Sequence, residues 1–388
     1  MRNRFSALLL CVSLLVPGIA AAQTQPIVTG ILGTTRAGLN DELTVQVKSL
    51  RVLLDKADCV NPGSNCKPKN IALFLNGMPL RGIAPVRDIY NETLQYTLSR
   101  TDQTKDVWSA LLGSPTGTTR LVTVSVGLED DYPLQTQVEK FELVILRPIW
   151  SIIALVIVTL MLVAFFKLAR RSSLLRDPGP AKAASDTSKI PFSLGRVQMA
   201  FWFILVIISF LFIWVTTGQH DTISAQILTL IGIGTGTALG SALIDASKRE
   251  ENQSAVASLE AEKSALPAEI SQINQQLAGQ PPNRTELEAK LTTRLQRQQA
   301  AEGELTKART ALNPLESQQF FKDILSDANG ITFHRFQLAV WTVVLGFIFC
   351  ASVYRSLSMP QFSDTLLALM GITSGTYIGF KFPEQHAK

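Results

Sequence analysis

The chain has 388 residues, a formal net charge of +5 and 46% hydrophobic residues, which leaves room for two or three folding units. Apolar runs of about twenty residues exclude an ordinary soluble protein. The positive balance does not read as a nucleic-acid footprint. Lys167, Arg170, Arg171, Arg176, Lys182, Lys189 and Arg196 crowd one segment between apolar runs, the distribution that orients a chain in a bilayer.

Met1–Ala22 has the parts of a secretory signal: Arg2 and Arg4, an apolar Phe5–Val16, then Ala20-Ala21-Ala22, with cleavage expected after Ala22. Residues 23–147 then read as one exported, periplasmic all-β domain. Alternating apolar positions mark strands in Thr93–Arg100 (Leu94, Tyr96, Leu98), Arg120–Leu128 (Val122, Val124, Val126) and Lys140–Arg147 (Phe141, Leu143, Ile145). Glu42–Leu50 and Ile71–Leu75 are further strands, the second ending at the turn signal Asn76-Gly77. Thr104–Leu112 reads as a short helix carrying Trp108 inward. About six or seven strands in this span predict an immunoglobulin-like sandwich. Cys59 and Cys66 bracket a Pro-Gly loop in this oxidising setting, and a disulfide between them is expected. Neither a histidine nor a second cysteine pair accompanies them, so no metal and no cofactor is predicted.

Five membrane spans are expected next. The first, residues 148–167, has Trp150 at one edge and Lys167, Arg170 and Arg171 at the other, which places that second edge in the cytoplasm. Residues 168–192 read as a flexible cytoplasmic linker. A hairpin over 193–244 crosses outward and back. Residues 245–326 form a cytoplasmic insert, and a second hairpin over 331–380 ends in a short cytoplasmic tail, 381–388. In the insert, Val256, Leu259, Lys263, Leu266, Ile270, Ile273 and Leu277 form one seam. Leu287, Leu291, Arg294, Gln298, Ala301, Leu305, Ala308 and Leu312 form another. With Gly279-Gln-Pro-Pro-Asn283 between them, they predict an antiparallel coiled coil with Lys263 opposite Gln298. Pro267 is expected to bend the first arm. Phe320 and Phe321 stand where the stalk returns to the lipid headgroups, placed either to anchor it there or to pack on Phe333 and Phe336.

The two hairpins are copies. Arg196, Gln198, Ala200 and Trp202 recur as Arg335, Gln337, Ala339 and Trp341. Gly232, Ile233, Gly236, Thr237 and Gly240 recur as Gly371, Ile372, Gly375, Thr376 and Gly379. A single offset of 139 residues aligns both ends without a gap, which identifies an internal duplication of parallel repeats. This R-x-Q-x-A-x-W and G-I-x-x-G-T-x-x-G hairpin resembles a segment of uncharacterised bacterial membrane proteins. The resemblance covers about a quarter of the chain. It implies a bacterial inner-membrane setting and carries no activity.

Each glycine trio makes a small-residue stripe on one helix face, a glycine zipper predicted to pack helices within the repeat pair or between subunits. Thr237 and Thr376 border the stripes as cross-helix or pore-facing hydroxyls. Arg196 and Arg335 anchor the inner ends, and the deeper Gln198 and Gln337 need partners, for which the other repeat is a candidate. Asp245 is expected to meet a nearby Lys or Arg. No ionisable residue falls in the middle of any span, which speaks against a pump or an ion-coupled carrier. The expectation is a non-enzymatic anchor, scaffold or signalling protein. It contacts membrane lipid, forms a homo-oligomer, and meets protein partners at the coiled coil and the periplasmic domain. The alternative is a homo-oligomeric channel lined by the glycine and threonine faces.

Overall fold

The computed structural model describes residues 25–60, 67–179, 181–182, 185–313, 315–327 and 330–384 and divides into two compact units. The expected signal peptide, Cys66 and the end of the tail lie outside the described residues.

The first unit comprises the chain up to Thr104 together with Leu121–Leu143. Its strands are β1 (Ile27–Leu32), β2 (Arg36–Gly38), β3 (Glu42–Lys48), β4 (Ile71–Leu75), β5 (Met78–Leu80), β6 (Val86–Asp88), β7 (Thr93–Thr97), β8 (Thr119–Val122), β9 (Val124–Leu128) and β10 (Phe141–Val144). Helix α1 (Leu50–Ala57) follows β3. The sheet orders are β1-β3-β7-β6, β5-β4-β9 and β2-β10-β8. Register follows the apolar alternation: Leu43 faces Tyr96 and Val45 faces Leu94 across β3 and β7, and all four are buried. A one-residue slip would turn this set to the other face. Asn76 and Gly77 both take positive φ, 51° and 76°, and close the β4–β5 hairpin as the two-residue turn that this dipeptide favours.

Three differences from the sequence reading stand out. Among the described residues the domain holds ten strands in three sheets rather than six or seven in a sandwich, because the three-residue strands β2, β5 and β6 are too short to show alternation. The single strand expected over Arg120–Leu128 breaks at Thr123, where the Thr123 amide donates to Asn76 Oδ1 at 2.8 Å. Helix α1 was not expected, although Leu50, Leu53, Leu54 and Ala57, all buried, carry a helical period.

The second unit comprises Lys105–Arg120 and Val144–Lys388. It holds α2 (Lys105–Leu112), α3 (Pro148–Arg171), α4 (Leu194–Thr217), α5 (Ala225–Ala278), α6 (Arg284–Ala311), α7 (Phe320–Leu325), the two-residue strands β11 (Ser326–Asp327) and β12 (Gly330–Ile331), α8 (Phe333–Ser356) and α9 (Asp364–Lys381). Among the described residues four helices are long and apolar enough to cross a membrane: α3, α4, α8 and the apolar part of α5. Five were expected. The α9 segment has 18 residues, and its glycines, serine, threonines and terminal charges dilute its apolar character.

Helices α4, α5, α8 and α9 share one buried cluster that includes Trp202, Leu230, Phe349, Met370 and Tyr377. α4 packs on α8 and α5 on α9, so each helix of one hairpin meets its counterpart in the other. α3 buries only Ala169 and touches α4 through an edge-on contact of Trp150 with Trp214 at 5.8 Å. Gly218 ends α4 with φ 72°, the left-handed conformation of a helix C-cap. At the C-terminal end of α8, the Ser114 amide donates to the Tyr354 carbonyl at 2.9 Å. The Tyr354 hydroxyl donates to the Pro115 carbonyl at 3.0 Å, which fastens α2 and its following loop to that end.

α5 is one unbroken helix of 54 residues, roughly 80 Å at 1.5 Å per residue. The boundary expected between residues 244 and 245 therefore falls inside a continuous helix. Beyond it, α5 and α6 run antiparallel, joined by Glu262–Arg297 at 2.6 Å, Glu260–Arg309 at 2.6 Å, Lys263–Glu302 at 3.1 Å and Glu269–Arg294 at 3.0 Å. Leu266, Leu287, Ala301 and Leu305 are buried between them. Lys263 thus reaches Glu302, one turn beyond the expected Gln298.

Candidate functional site

The duplicated hairpins place their charged ends together. Arg335 opens α8, and its guanidinium donates to Glu384 at 2.6 Å, with side chains 8% and 3% exposed. Lys381, in the last turn of α9, donates to Asp245 of α5 at 2.5 Å and to the Ser241 hydroxyl at 2.5 Å. The Asp245–Lys381 pair therefore joins the first hairpin to the second, as the sequence expectation for Asp245 required. Lys248, one turn further along α5, donates to the carbonyls of Lys381 and Glu384, both at 2.7 Å, which holds the end of α9 in place. Charges buried this deeply persist only when paired.

Glu384, Lys381 and Lys248 were missed in the sequence. Glu384 was legible there, since Asp245 and Glu384 are themselves 139 residues apart and extend the duplication beyond its glycines. The copies have nonetheless diverged. Arg335 bonds its own repeat's acid, whereas Arg196 donates to the carbonyls of Ser173 and Arg176, both at 2.9 Å.

The described residues of the segment expected to be a flexible linker, 172–179 and 185–192, are instead folded against this end. Arg176 is buried, donates to the Ser188 and Ile190 carbonyls at 2.9 and 2.6 Å, and lies over the Phe192 ring at 4.0 Å. Arg249 of α5 reaches the Gly179 carbonyl at 2.8 Å. Asp186 accepts from the Ser188 amide and hydroxyl, bonds that hold its carboxyl below the usual carboxylate range. Asp323 of α7 accepts from the Phe192 amide at 3.2 Å and the Ser317 hydroxyl at 2.5 Å. Of the two expectations for the Phe pair, headgroup anchoring or packing on Phe333 and Phe336, neither describes the contact Phe320 makes with Phe192, edge-on at 5.1 Å.

Between this collar, α7, β11, β12 and the ends of α8 and α9 lies a cavity of about 460 Å³, within the range of small-molecule sites. Asp177, Ser193, Lys322, Arg335 and Glu384 are among its lining. Asp177 Oδ2, Ser193 Oγ, Arg335 Nε and Glu384 Oε2 are buried without a protein partner.

The other expected site residues fall elsewhere. A side chain added at Gly232, Gly236, Gly371, Gly375 or Gly379 would meet nothing within 4 Å, and at Gly240 it would meet only Ile378 at 3.0 Å. Within one chain, then, only Gly240 of the two stripes lies against the other hairpin. Within the first hairpin α4 approaches α5 closely at Gly195, whose added Cβ would lie 3.1 Å from the Ala238 backbone, and between the hairpins a Cβ at Gly346 of α8 would press on the Phe201 ring of α4. Thr237 and Thr376 donate to carbonyls of their own helices, Ile233 at 2.7 Å and Ile372 at 2.8 Å, not across a helix contact. Thr237 is buried and Thr376 is not. Gln198 and Trp202 are buried in the core, and neither the Gln198 amide atoms nor the Trp202 indole N–H has a partner. The expected bond from Gln198 to the other repeat is absent. Gln337 and Trp341 are only partly buried. Cys350, in the apolar run of α8, is a free, exposed cysteine. Cys59 is disulfide-bonded, and Cys66 lies outside the described residues. No family model matches the chain, and no curated protein or solved structure resembles it at a significant level.

Proposed function

We propose that the protein is a non-enzymatic scaffold or signalling protein of a bacterial inner membrane. It presents the β domain outside the cytoplasm and the α5–α6 coiled coil inside it. α9 serves as a fifth, shorter span whose polar residues face α5 and α8. The observation that carries this reading is the continuity of α5. A helix without a break between its apolar segment and the tip of the hairpin transmits a tilt or rotation at one end to the other, which a flexible joint would absorb. The α2 loop fastened to the outer end of α8 supplies an input on the opposite face of the bundle. The glycine faces of α5 and α9 and the almost bare α3 support self-association, since they are unoccupied within one chain and small residues allow close helix approach in lipid.

Spin labels at the inner end of α4 and near Arg284 test the lever in the full chain. A narrow distance distribution that broadens when two glycines replace Ser254 and Ala255 supports it. An equally broad distribution in the parent chain sinks it. Reporter fusions test the topology separately, with Lys290 and the C-terminal tail expected on the same, cytoplasmic side.

A further inference from the structure

We propose that the cavity at the charged end of the bundle binds a primary ammonium group carried beside an anionic oxygen, as in the headgroup of an aminophospholipid. Three residues of its lining, Asp177, Ser193 and Glu384, each carry a buried side-chain oxygen without a hydrogen-bond partner, Oδ2, Oγ and Oε2. Each belongs to a residue at least nine-tenths buried. A buried oxygen without a donor is costly, and a primary ammonium brings three N–H donors on one atom. The fourth unpartnered atom, Arg335 Nε, is a donor and matches an anionic oxygen of the same ligand. Lys322, also in the lining, adds positive charge for that oxygen.

Charge favours an organic cation. Of the three bases in the lining, Arg335 and Lys381 are already committed to Glu384 and Asp245. Asp177, Glu316 and Asp323 then outnumber Lys322. A bare metal ion needs several such donors converging, and among the described residues no group of three or more His, Cys, Asp or Glu is placed to hold one.

Placement favours a lipid source. The elements that wall the cavity carry Phe321, Ile331 and Phe333 on their outer surface, 71%, 73% and 78% exposed. Apolar side chains around a polar pocket, at the end of membrane-length helices, suit the headgroup layer. Only this choice of source rests on the bilayer placement proposed above; the ammonium chemistry does not.

The full chain, purified in detergent, is offered phosphatidylethanolamine, phosphatidylcholine or phosphatidylglycerol of identical acyl chains, and retained lipid is counted by native mass spectrometry. Phosphatidylethanolamine is expected to be retained at least about tenfold over both others, the worth of one or two charge-assisted hydrogen bonds. Phosphatidylcholine has the same charge and no N–H donor. Asp177→Asn and Ser193→Ala are each expected to erase the preference. Soluble O-phosphoethanolamine that displaces the lipid at comparable concentration assigns the site to a free amine with the same chemistry. Equal retention of all three lipids, or variants that keep the preference, leaves water as the only occupant and overturns the proposal. Should a variant not fold, the comparison of lipids on the parent chain still decides.

Discussion

Asp245 and Lys381 meet at 2.5 Å with side chains 3% and 7% exposed, and they belong to different copies of the duplicated hairpin. Their counterparts in the repeat show how the copies diverged. Glu384 is the equivalent of Asp245, and it pairs with Arg335 inside its own repeat. One buried acid thus holds a hairpin to itself, while its sister holds the two hairpins together.

Removing one partner of such a pair leaves an uncompensated buried charge. Lys381→Met and Asp245→Leu are each expected to destabilise the chain by about 3–5 kcal/mol. The double substitution is expected to recover most of the loss, because hydrophobic replacement of both partners is often neutral. Unfolding of the full chain in detergent, read as a double-mutant cycle, checks this. Additive losses would mean that the two side chains do not act as a pair.

The glycines separate into two classes. Replacing Gly236 and Gly375 with leucine is expected to leave the monomer folded, since nothing lies within 4 Å of either position, and to lower the oligomeric mass seen by light scattering. Gly195→Ala presses on the Ala238 backbone and is expected to cost about 1–3 kcal/mol. A folded Gly236/Gly375 variant with unchanged mass would remove the glycine stripes from any subunit interface.

Gln198 is buried with both amide atoms unpartnered. Gln198→Met keeps the volume and removes the unsatisfied polar atoms, so it is expected to raise stability by about 1–3 kcal/mol. A lower thermal midpoint in the full chain would show that the amide has a partner in the assembled protein.

The hairpin responds to acid in a defined direction. The Arg297 guanidinium beside Glu262 holds that carboxyl below its ordinary value of 4.5. The folded value is depressed, so this contribution is complete above pH ~4.5 and fades as pH falls through the folded value. Spin labels at Leu259 and Leu305 are expected to keep their separation at pH 6 and to spread on acidification. Arg297→Ala is expected to abolish the part of this response that belongs to Glu262.

The amino-acid sequence by itself determined the local periods and the duplication. Long apolar runs, two heptad seams around Gly279-Gln-Pro-Pro-Asn283 and one offset of 139 residues are one-dimensional signals, and α4, α5, α6 and α8 form where they predict. The Asn76-Gly77 turn is of the same kind, because its backbone needs positive φ at two successive residues. Tertiary structure decided which face of each helix is used. A glycine stripe announces close packing without naming its partner, and within this chain only Gly240 meets a neighbouring helix. Nor does a period reveal that residues 172–179 and 185–193 fold into a collar, since they are held by side chain to carbonyl bonds from Arg176, Arg196 and Arg249. The cavity arises from the same cause: its four unpartnered atoms lie as far apart in the chain as Asp177 and Glu384, and only the packing of the hairpin ends brings them to one place.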